Sequence, residues 1–113
     1  MPVAEFNYAD GRNNDMNKLV QGLITPMLTP MFEDESINYQ ELENQAERLI
    51  NAGVNGLFVL DTNGENYIMN DEEKLSVIEH VVQKVHHRVP VYAGTGCLGT
   101  KETIRLSKKA KEL

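Results

Sequence analysis

The stretch at residues 56–65 (GLFVLDTNGE) constrains the fold of this chain more than any other feature. It is a short apolar run that stops abruptly in small and polar residues. A β-rich run bounded by glycine and by Asn-Gly is typical of a buried strand. In parallel sheets, ligands bind in the crevice beyond the carboxyl ends of the strands. The stretch therefore predicts a buried strand that places polar residues at a ligand site.

Three residues of this stretch are candidates for binding a small anion. Thr62 and Asn63 carry a hydroxyl and an amide, and backbone N–H groups around Gly64 add further hydrogen-bond donors. Gly64 also allows the backbone to turn with positive φ. The alternative is a strand-to-helix loop whose polar side chains satisfy only its own backbone.

From residue 19 onward, the pattern of a strand followed by a helix occurs three times. Strands are predicted within residues 19–28, from residue 56 and at residues 90–93. The first predicted strand ends at Thr29-Pro30, because proline disfavours helix and forces an extended or turning chain. This order predicts an α/β fold with a parallel sheet. Each unit takes about 32 residues, and eight such units would reach the length of about 250 residues typical of a (β/α)₈ barrel, so three units are less than a closed domain.

Capping residues and apolar stripes define the predicted helices. Asn38 with Glu41, and Asn70 with Glu73, have the spacing of capping boxes. The first helix ends before Gly53, the second runs from about residue 71 to residue 86, and Thr100 caps the third. The faces predicted to pack on the sheet contain Tyr39, Leu42, Ala46, Leu49 and Ile50 in the first helix; Leu75, Val77, Ile78, Val81, Val82 and Val85 in the second; and Thr103, Leu106, Ala110 and Leu113 in the third.

Residues 1–18 are rich in Asn, Asp and Gly and show neither helical nor strand periodicity. They are predicted to form an irregular arm, which leaves residues 19–113 as the partial barrel. Because Met16 lies just before the first apolar run, translation starting there is a hypothesis. The intact mass of the native protein tests it.

Composition narrows the function classes. The formal net charge of −6 argues against a nucleic-acid or anionic-membrane partner. No apolar run reaches the length of about 20 residues that spans a bilayer, and the N-terminus lacks the apolar core of a signal peptide. A single cysteine, Cys97, excludes an internal disulfide and fits a reducing compartment. We therefore expect a cytoplasmic protein.

Five motifs, in order, resemble one enzyme family: LTP at 28–30, DTNGE at 61–65, DEEK at 71–74, VPVYAGTG at 89–96 and TKETI at 100–104. Together they resemble the front part of class I aldolases of the dihydrodipicolinate synthase and N-acetylneuraminate lyase family. The resemblance covers residues 19–113 and implies the first three units of a (β/α)₈ barrel, usually in a homotetramer. It also implies a pyruvate or other 2-oxo acid substrate, held as a Schiff base on a lysine, with no separate cofactor.

The same resemblance assigns roles to the loop at residues 61–65. Thr62 and Asn63 would bind the pyruvate carboxylate, Thr62 would also relay protons, and Gly64 would allow close approach of the backbone. Two residues depart from the family pattern. Asp61 replaces a glycine and adds a carboxylate that repels a bound anion, and Asn63 replaces a threonine.

The Schiff-base lysine of the family lies on a later strand that this sequence does not contain. Lys18 lies in the arm, and six further lysines are predicted on solvated helix surfaces: Lys74, Lys84, Lys101, Lys108, Lys109 and Lys111. We therefore expect this chain alone to be inactive. The first hypothesis is the N-terminal part of a lyase of the 4-hydroxy-tetrahydrodipicolinate synthase type. The alternatives are an N-acetylneuraminate lyase type and a non-catalytic interaction module.

Other chemically active residues have simpler interpretations. Cys97 has no nearby histidine, and the three histidines lack metal-ligand spacing, so no metal site is predicted. Residues 94–96 (GTG) lack a full phosphate-binding motif. Glu65 and Glu102 form a possible acid pair, although Glu102 also suits the first turn of a helix. Tyr67 is predicted on the rim, where it packs across a subunit boundary or faces solvent.

Overall fold

The computed structural model describes the backbone of residues 3–6 and the backbone and side chains of residues 22–113. These residues form four strands, β1 (Val3–Phe6), β2 (Ile24–Pro26), β3 (Gly56–Val59) and β4 (Val91–Gly94). They also form three α-helices, α1 (Tyr39–Asn51), α2 (Asp71–Val85) and α3 (Thr100–Lys111). Two short 3₁₀ turns, Thr62–Gly64 and Asn66–Ile68, lie between β3 and α2.

The strands form one sheet in the order β1-β4-β3-β2. β2 pairs with β3, and β3 with β4, in parallel. The predicted parallel arrangement is therefore confirmed. β2 ends at Pro26, earlier than expected, although the Met27 N–H still donates to the Phe58 carbonyl (2.8 Å). Proline is tolerated in β2 because this strand lies at the edge of the described sheet.

β1 corrects the prediction of an irregular arm. Val3–Phe6 pair antiparallel with β4, with Val3 opposite Gly94 and Phe6 opposite Val91. This segment has no strand periodicity of its own, and its strand conformation comes from backbone pairing with β4, which local sequence patterns do not report. The rest of the predicted arm, including Met16 and the start site suggested for it, lies outside the described residues.

The helix caps mostly follow the sequence prediction. The Asn38 side chain accepts a hydrogen bond from the Glu41 N–H (3.0 Å), and Asn70 with Glu73 forms both halves of a capping box. Gly53 follows α1 with a φ of +92°. At α3, however, Gly99 is the N-cap and Thr100 is already helical. The threonine that binds main chain before the helix is Thr103, whose hydroxyl accepts a hydrogen bond from the Cys97 N–H (3.0 Å).

The core lies between the sheet and the helices, and most predicted apolar faces contribute to it. Leu113 is an exception, since it is exposed at 37 %. No helix among residues 22–113 is long and apolar enough to cross a membrane. Fully buried core residues are Met27, Leu42, Ala46, Leu57, Val59, Leu60, Val77, Ile78, Val81, Val85, Val91, Ala93, Leu106 and Ala110.

Lys74 departs from its predicted place on a solvated surface. Only 9 % of this residue is exposed. It lies three and four residues before the buried Val77 and Ile78, so it shares their helix face. A lysine can bury its aliphatic stem along such a face. The apolar face of α2 is therefore wider than its hydrophobic residues alone indicate.

Arg88 joins the end of α2 to α1. Its guanidinium donates two hydrogen bonds to the Glu47 carboxylate (2.8 and 2.7 Å) and one to the Val85 carbonyl (2.8 Å). The bond from Arg88 holds the pKa of Glu47 below its ordinary value of 4.5. Since the pKa is lower in the folded state, this stabilisation is present above the unfolded-state pKa and is lost as the pH falls through the folded-state pKa.

Acidification from about pH 6 to about pH 3 is therefore expected to reduce the free energy of unfolding, and Glu47→Gln should remove a small part of that pH dependence. The effect is small because both side chains contact solvent. Urea unfolding at the two pH values measures it. Glu79→Gln is the control, since the Glu79 carboxylate bonds the neutral Gln83 (3.4 Å). Equal pH dependence in both variants would contradict the assignment.

Candidate active site

A groove of about 820 Å³ opens beyond the carboxyl ends of β2 and β3. Its walls come from the segment after β2, from one side of α1 and from the loop after β3. The groove is lined by Leu28, Thr29, Pro30, Glu41, Gln45, Arg48, Thr62, Asn63, Glu65 and Tyr67. The structure thus brings Thr62 and Asn63 to a concave surface, and both side chains are exposed there.

The loop leaves β3 through an unusual conformation at Leu60. This residue is fully buried (0 % exposed) and has a φ of 61°. Left-handed conformations cost about 1–2 kcal/mol for a residue other than glycine. A second left-handed residue, Glu65 (φ 57°), follows the 3₁₀ turn at Thr62–Gly64. The loop therefore contains two costly conformations within six residues, which the surrounding contacts must hold.

Gly64 supplies space rather than a left-handed turn. The sequence suggests a positive φ at this glycine, but the positive φ values lie on either side of it, at Leu60 and Glu65. A Cβ atom on Gly64 would lie 3.2 Å from the Met27 carbonyl oxygen and 3.4 Å from Thr29 Oγ1. The loop thus packs main chain against the segment that follows β2.

The Thr29 hydroxyl holds the loop in this position. It donates a hydrogen bond of 2.6 Å to the Gly64 carbonyl, and only 6 % of Thr29 is exposed. A buried bond between residues 35 positions apart is invisible to local patterns. The only sequence signal at Thr29 is the LTP motif, which indicates the end of a strand rather than a contact with the loop.

The charges on the groove are mixed. Arg48 pairs with Glu41 (2.7 Å), and this hydrogen bond lowers the pKa of Glu41. Glu65 adds a further carboxylate. Neutral donors on Thr62 and Asn63 therefore face a groove that contains one arginine and two acids. Such a site suits a small anion held by hydrogen bonds better than a highly charged ligand.

The extra carboxylate at Asp61 is half-buried at the start of the 3₁₀ turn. Its backbone is extended (φ −76°, ψ 179°), and its carbonyl accepts from the Gly64 N–H (2.9 Å). The main chain of Asp61 thus closes the turn that carries Thr62 and Asn63. The position is structurally compatible with aspartate.

Of the other candidate residues, Glu102 and Cys97 have structural partners. Glu102 accepts a hydrogen bond from Arg105 of the same helix, and Arg105 also pairs with Asp71 of α2, so Arg105 links α3 to α2. Cys97 is half-buried, and its thiol lies 3.6 Å from the Thr95 carbonyl. Tyr67 lies on the groove and is 69 % exposed.

Histidines and lysines lie outside the groove lining. His80 stacks on Tyr39 with 4.1 Å between ring centroids, and its Nδ1 lies 3.0 Å from Glu43. Among residues 22–113, no group of three or more histidine, cysteine or acidic side chains could hold a metal ion. The described lysines all belong to α2 and α3, so none lies in β2, β3 or β4.

Comparison with known proteins supports the fold and the family that the sequence motifs indicate. The 4-hydroxy-tetrahydrodipicolinate synthase of Bacillus subtilis is 40% identical over 88 residues, which are 78% of this chain and 30% of that protein. The crystal structure of dihydrodipicolinate synthase from Acinetobacter baumannii complexed with pyruvate superposes with a TM-score of 0.80 at 36% identity, over 81% of this chain and 32% of that one. N-acetylneuraminate lyase from Mycoplasma synoviae gives a TM-score of 0.73 at 28% identity, over 80% of this chain and 32% of that one.

The chain thus spans about 30% of the length of the curated relatives that it matches. Its three parallel strands with their helices match the N-terminal part of these proteins, which confirms the predicted first three units of a (β/α)₈ barrel. The model of the dihydrodipicolinate synthetase family matches residues 19–113. This chain therefore belongs to the dihydrodipicolinate synthetase family.

Proposed function

We propose that this chain carries, at residues 61–65, the carboxylate-binding loop of a pyruvate-dependent lyase of the 4-hydroxy-tetrahydrodipicolinate synthase type. The observation that carries the proposal is the exposed pair of donors, Thr62 and Asn63, on a groove at the carboxyl end of β3. A related structure that is 36% identical is complexed with pyruvate. In the proposed site, the Thr62 hydroxyl and the Asn63 amide bind the pyruvate carboxylate, and Gly64 lets the main chain approach it.

The proposed reaction needs an amine that the described strands do not provide. A lysine amine condenses with the pyruvate ketone and releases water, and the protonated imine then accepts electrons from the adjacent carbon. Because β2, β3 and β4 contain no lysine, the nucleophile must come from outside these strands. Thr62 would relay a proton to or from the bound substrate. We therefore propose that this chain contributes binding but no covalent chemistry.

An N-acetylneuraminate lyase type is the second candidate. The M. synoviae lyase is 28% identical to this chain, against 40% for the B. subtilis synthase, which favours the synthase type. Homotetrameric assembly and a cytoplasmic location follow from the family resemblance and form part of the same proposal.

Titration of the isotope-labelled 113-residue chain with pyruvate, followed by NMR, tests the site. We expect saturable shifts of the amide signals of Thr62, Asn63 and Gly64, and weaker binding in Asn63→Ala. Pyruvamide is the control ligand, because it keeps the ketone but lacks the carboxylate. Shifts confined to other residues, or equal binding of both ligands, would contradict the proposal.

Borohydride treatment of the chain with pyruvate tests the second half of the proposal. We expect no stoichiometric mass increase, because the described lysines lie on α2 and α3 rather than beside the groove. A trapped adduct on one lysine would show that this chain supplies its own nucleophile. Noncovalent binding without trapping would also distinguish the proposed role from that of a module that does not bind pyruvate.

A further inference from the structure

Gln45 of α1 makes two hydrogen bonds to the main chain of residues 27–30, the segment that follows β2. Its side-chain Oε1 accepts a hydrogen bond from the Leu28 N–H (2.9 Å), and its Nε2 donates to the Leu28 carbonyl (3.0 Å). One amide therefore binds both polar main-chain groups of a single residue. This is the pairing that a neighbouring strand would provide, although β2 has already ended at Pro26.

The side chain of Leu28 does not hold this segment in place, because it is 60 % exposed. The flanking main-chain bonds are Met27 N–H to Phe58 O and Asn38 N–H to Pro30 O, both 2.8 Å. Between these two points, the Gln45 amide is the contact that holds Leu28 against α1. At Leu28 itself, the link to α1 is thus made by one side chain.

Thr29, the next residue, connects this segment to the carboxylate-binding loop. Its hydroxyl donates to the Gly64 carbonyl (2.6 Å) from a buried position. A chain of contacts therefore leads from Gln45 through residues 28 and 29 to Gly64. Gln45 and Thr29 also line the same groove as Thr62 and Asn63.

We propose that Gln45 is a positioning residue for the carboxylate-binding loop and acts through the main chain of Leu28 and the hydroxyl of Thr29. The part of this inference that concerns affinity rests on the proposed function. Because Leu28 is exposed, water can replace the two hydrogen bonds when Gln45 is removed. Water does not fix the position of the segment, so the loss should affect ligand affinity more than stability.

The test compares Gln45→Leu with Gln40→Leu in the 113-residue chain. Gln40 is an exposed residue of the same helix, where it bonds Asn44 (3.2 Å), so it is a matched control. In Gln45→Leu without ligand, we expect shifted NMR signals and faster hydrogen exchange for the amides of Thr29 and Gly64. We also expect the pyruvate dissociation constant to rise about five- to tenfold, with a midpoint of thermal unfolding close to that of Gln40→Leu.

A double-mutant cycle separates positioning from a general loss of structure. Thr29→Val removes the hydroxyl that connects the segment to Gly64, so its effect on affinity and that of Gln45→Leu should overlap rather than add. Additive effects would overturn the proposal, as would amide signals at Gly64 that move no further than in Gln40→Leu.

If Gln45→Leu does not fold, Gln45→Glu replaces it in the same measurements, because it keeps the acceptor for the Leu28 N–H and loses the donor. If the unmodified chain gives no pyruvate-dependent shifts, the proposed function fails, while the ligand-free amide signals still decide the role of Gln45.

Discussion

The Gly64→Val variant is expected to bind pyruvate at least about tenfold more weakly than the unmodified chain. A Cβ at this position lies 3.2 Å from the Met27 carbonyl oxygen, and valine adds two methyl groups beyond it. The crowded atom belongs to the main chain next to β2, so it cannot swing away as a flexible side chain would. The loop must move instead, and the bond from Thr29 to Gly64 lengthens or breaks. NMR titration with pyruvate measures the loss.

Gly99→Val is the matched control for this change. Gly99 caps α3 with a φ of −106°, which any residue can adopt, and no atom lies within 4 Å of its Cβ position. We expect this variant to bind pyruvate like the unmodified chain. If Gly64→Val retains full affinity and an unchanged Thr29 environment, the loop is not held by close packing against the segment after β2. If both variants lose affinity equally, the effect of Gly64 is not local.

The part of the fold that was predictable from sequence is the part built from local periodicity. α2 shows this most clearly, since its capping box and its apolar face both lie within one helix and both occur as expected. The parallel order of β2, β3 and β4 follows from the strand–helix alternation. β1 was not predictable, because it forms by pairing with β4, whose residues are far away in the sequence: Val3 lies opposite Gly94 and Phe6 opposite Val91.

The candidate site also contains residues that the sequence predicts and residues that it does not. Thr62 and Asn63 were predictable as polar residues at the end of an apolar run, because a short motif indicates both the strand end and the donors. Gln45 and Thr29 were not, since each holds a main-chain group that is 17 or 35 positions away. Long-range bonds from side chain to backbone leave no periodic signal in sequence. The residues proposed to bind pyruvate can thus be identified from a motif, whereas the residues proposed to position them are identified only from the structure.

Leu60 illustrates why glycine positions alone do not reveal where the backbone turns. The sequence indicates a left-handed turn at Gly64, where glycine removes the steric cost. The structure instead places a buried leucine in the left-handed region directly after β3. Burial of the side chain offsets the conformational cost, because a buried leucine contributes about 1.5–3 kcal/mol against a cost of about 1–2 kcal/mol. The side chain of Leu60 thus anchors the point at which the loop leaves the sheet.

Replacement of Leu60 and of Leu57 by alanine and by glycine separates the contribution of side-chain burial from the cost of the left-handed conformation. Both residues are 0 % exposed and belong to the same apolar run, but Leu57 lies within β3 and Leu60 has a φ of 61°. Each change to alanine should lower the free energy of unfolding by about 2–5 kcal/mol through lost burial and the cavity that remains. Urea unfolding, with the midpoint and the slope both fitted, measures these losses.

The order of alanine and glycine should then reverse between the two positions. Leu57→Gly should be less stable than Leu57→Ala by about 0.5–1 kcal/mol, because glycine weakens a strand. Leu60→Gly should be more stable than Leu60→Ala by about 1 kcal/mol, because alanine keeps the cost of the left-handed conformation and glycine removes it. The cavity is nearly the same within each pair, so the difference isolates the backbone. If glycine is the less stable replacement at both positions, Leu60 is not left-handed in solution, and the loop that carries Thr62 and Asn63 leaves β3 along a different path.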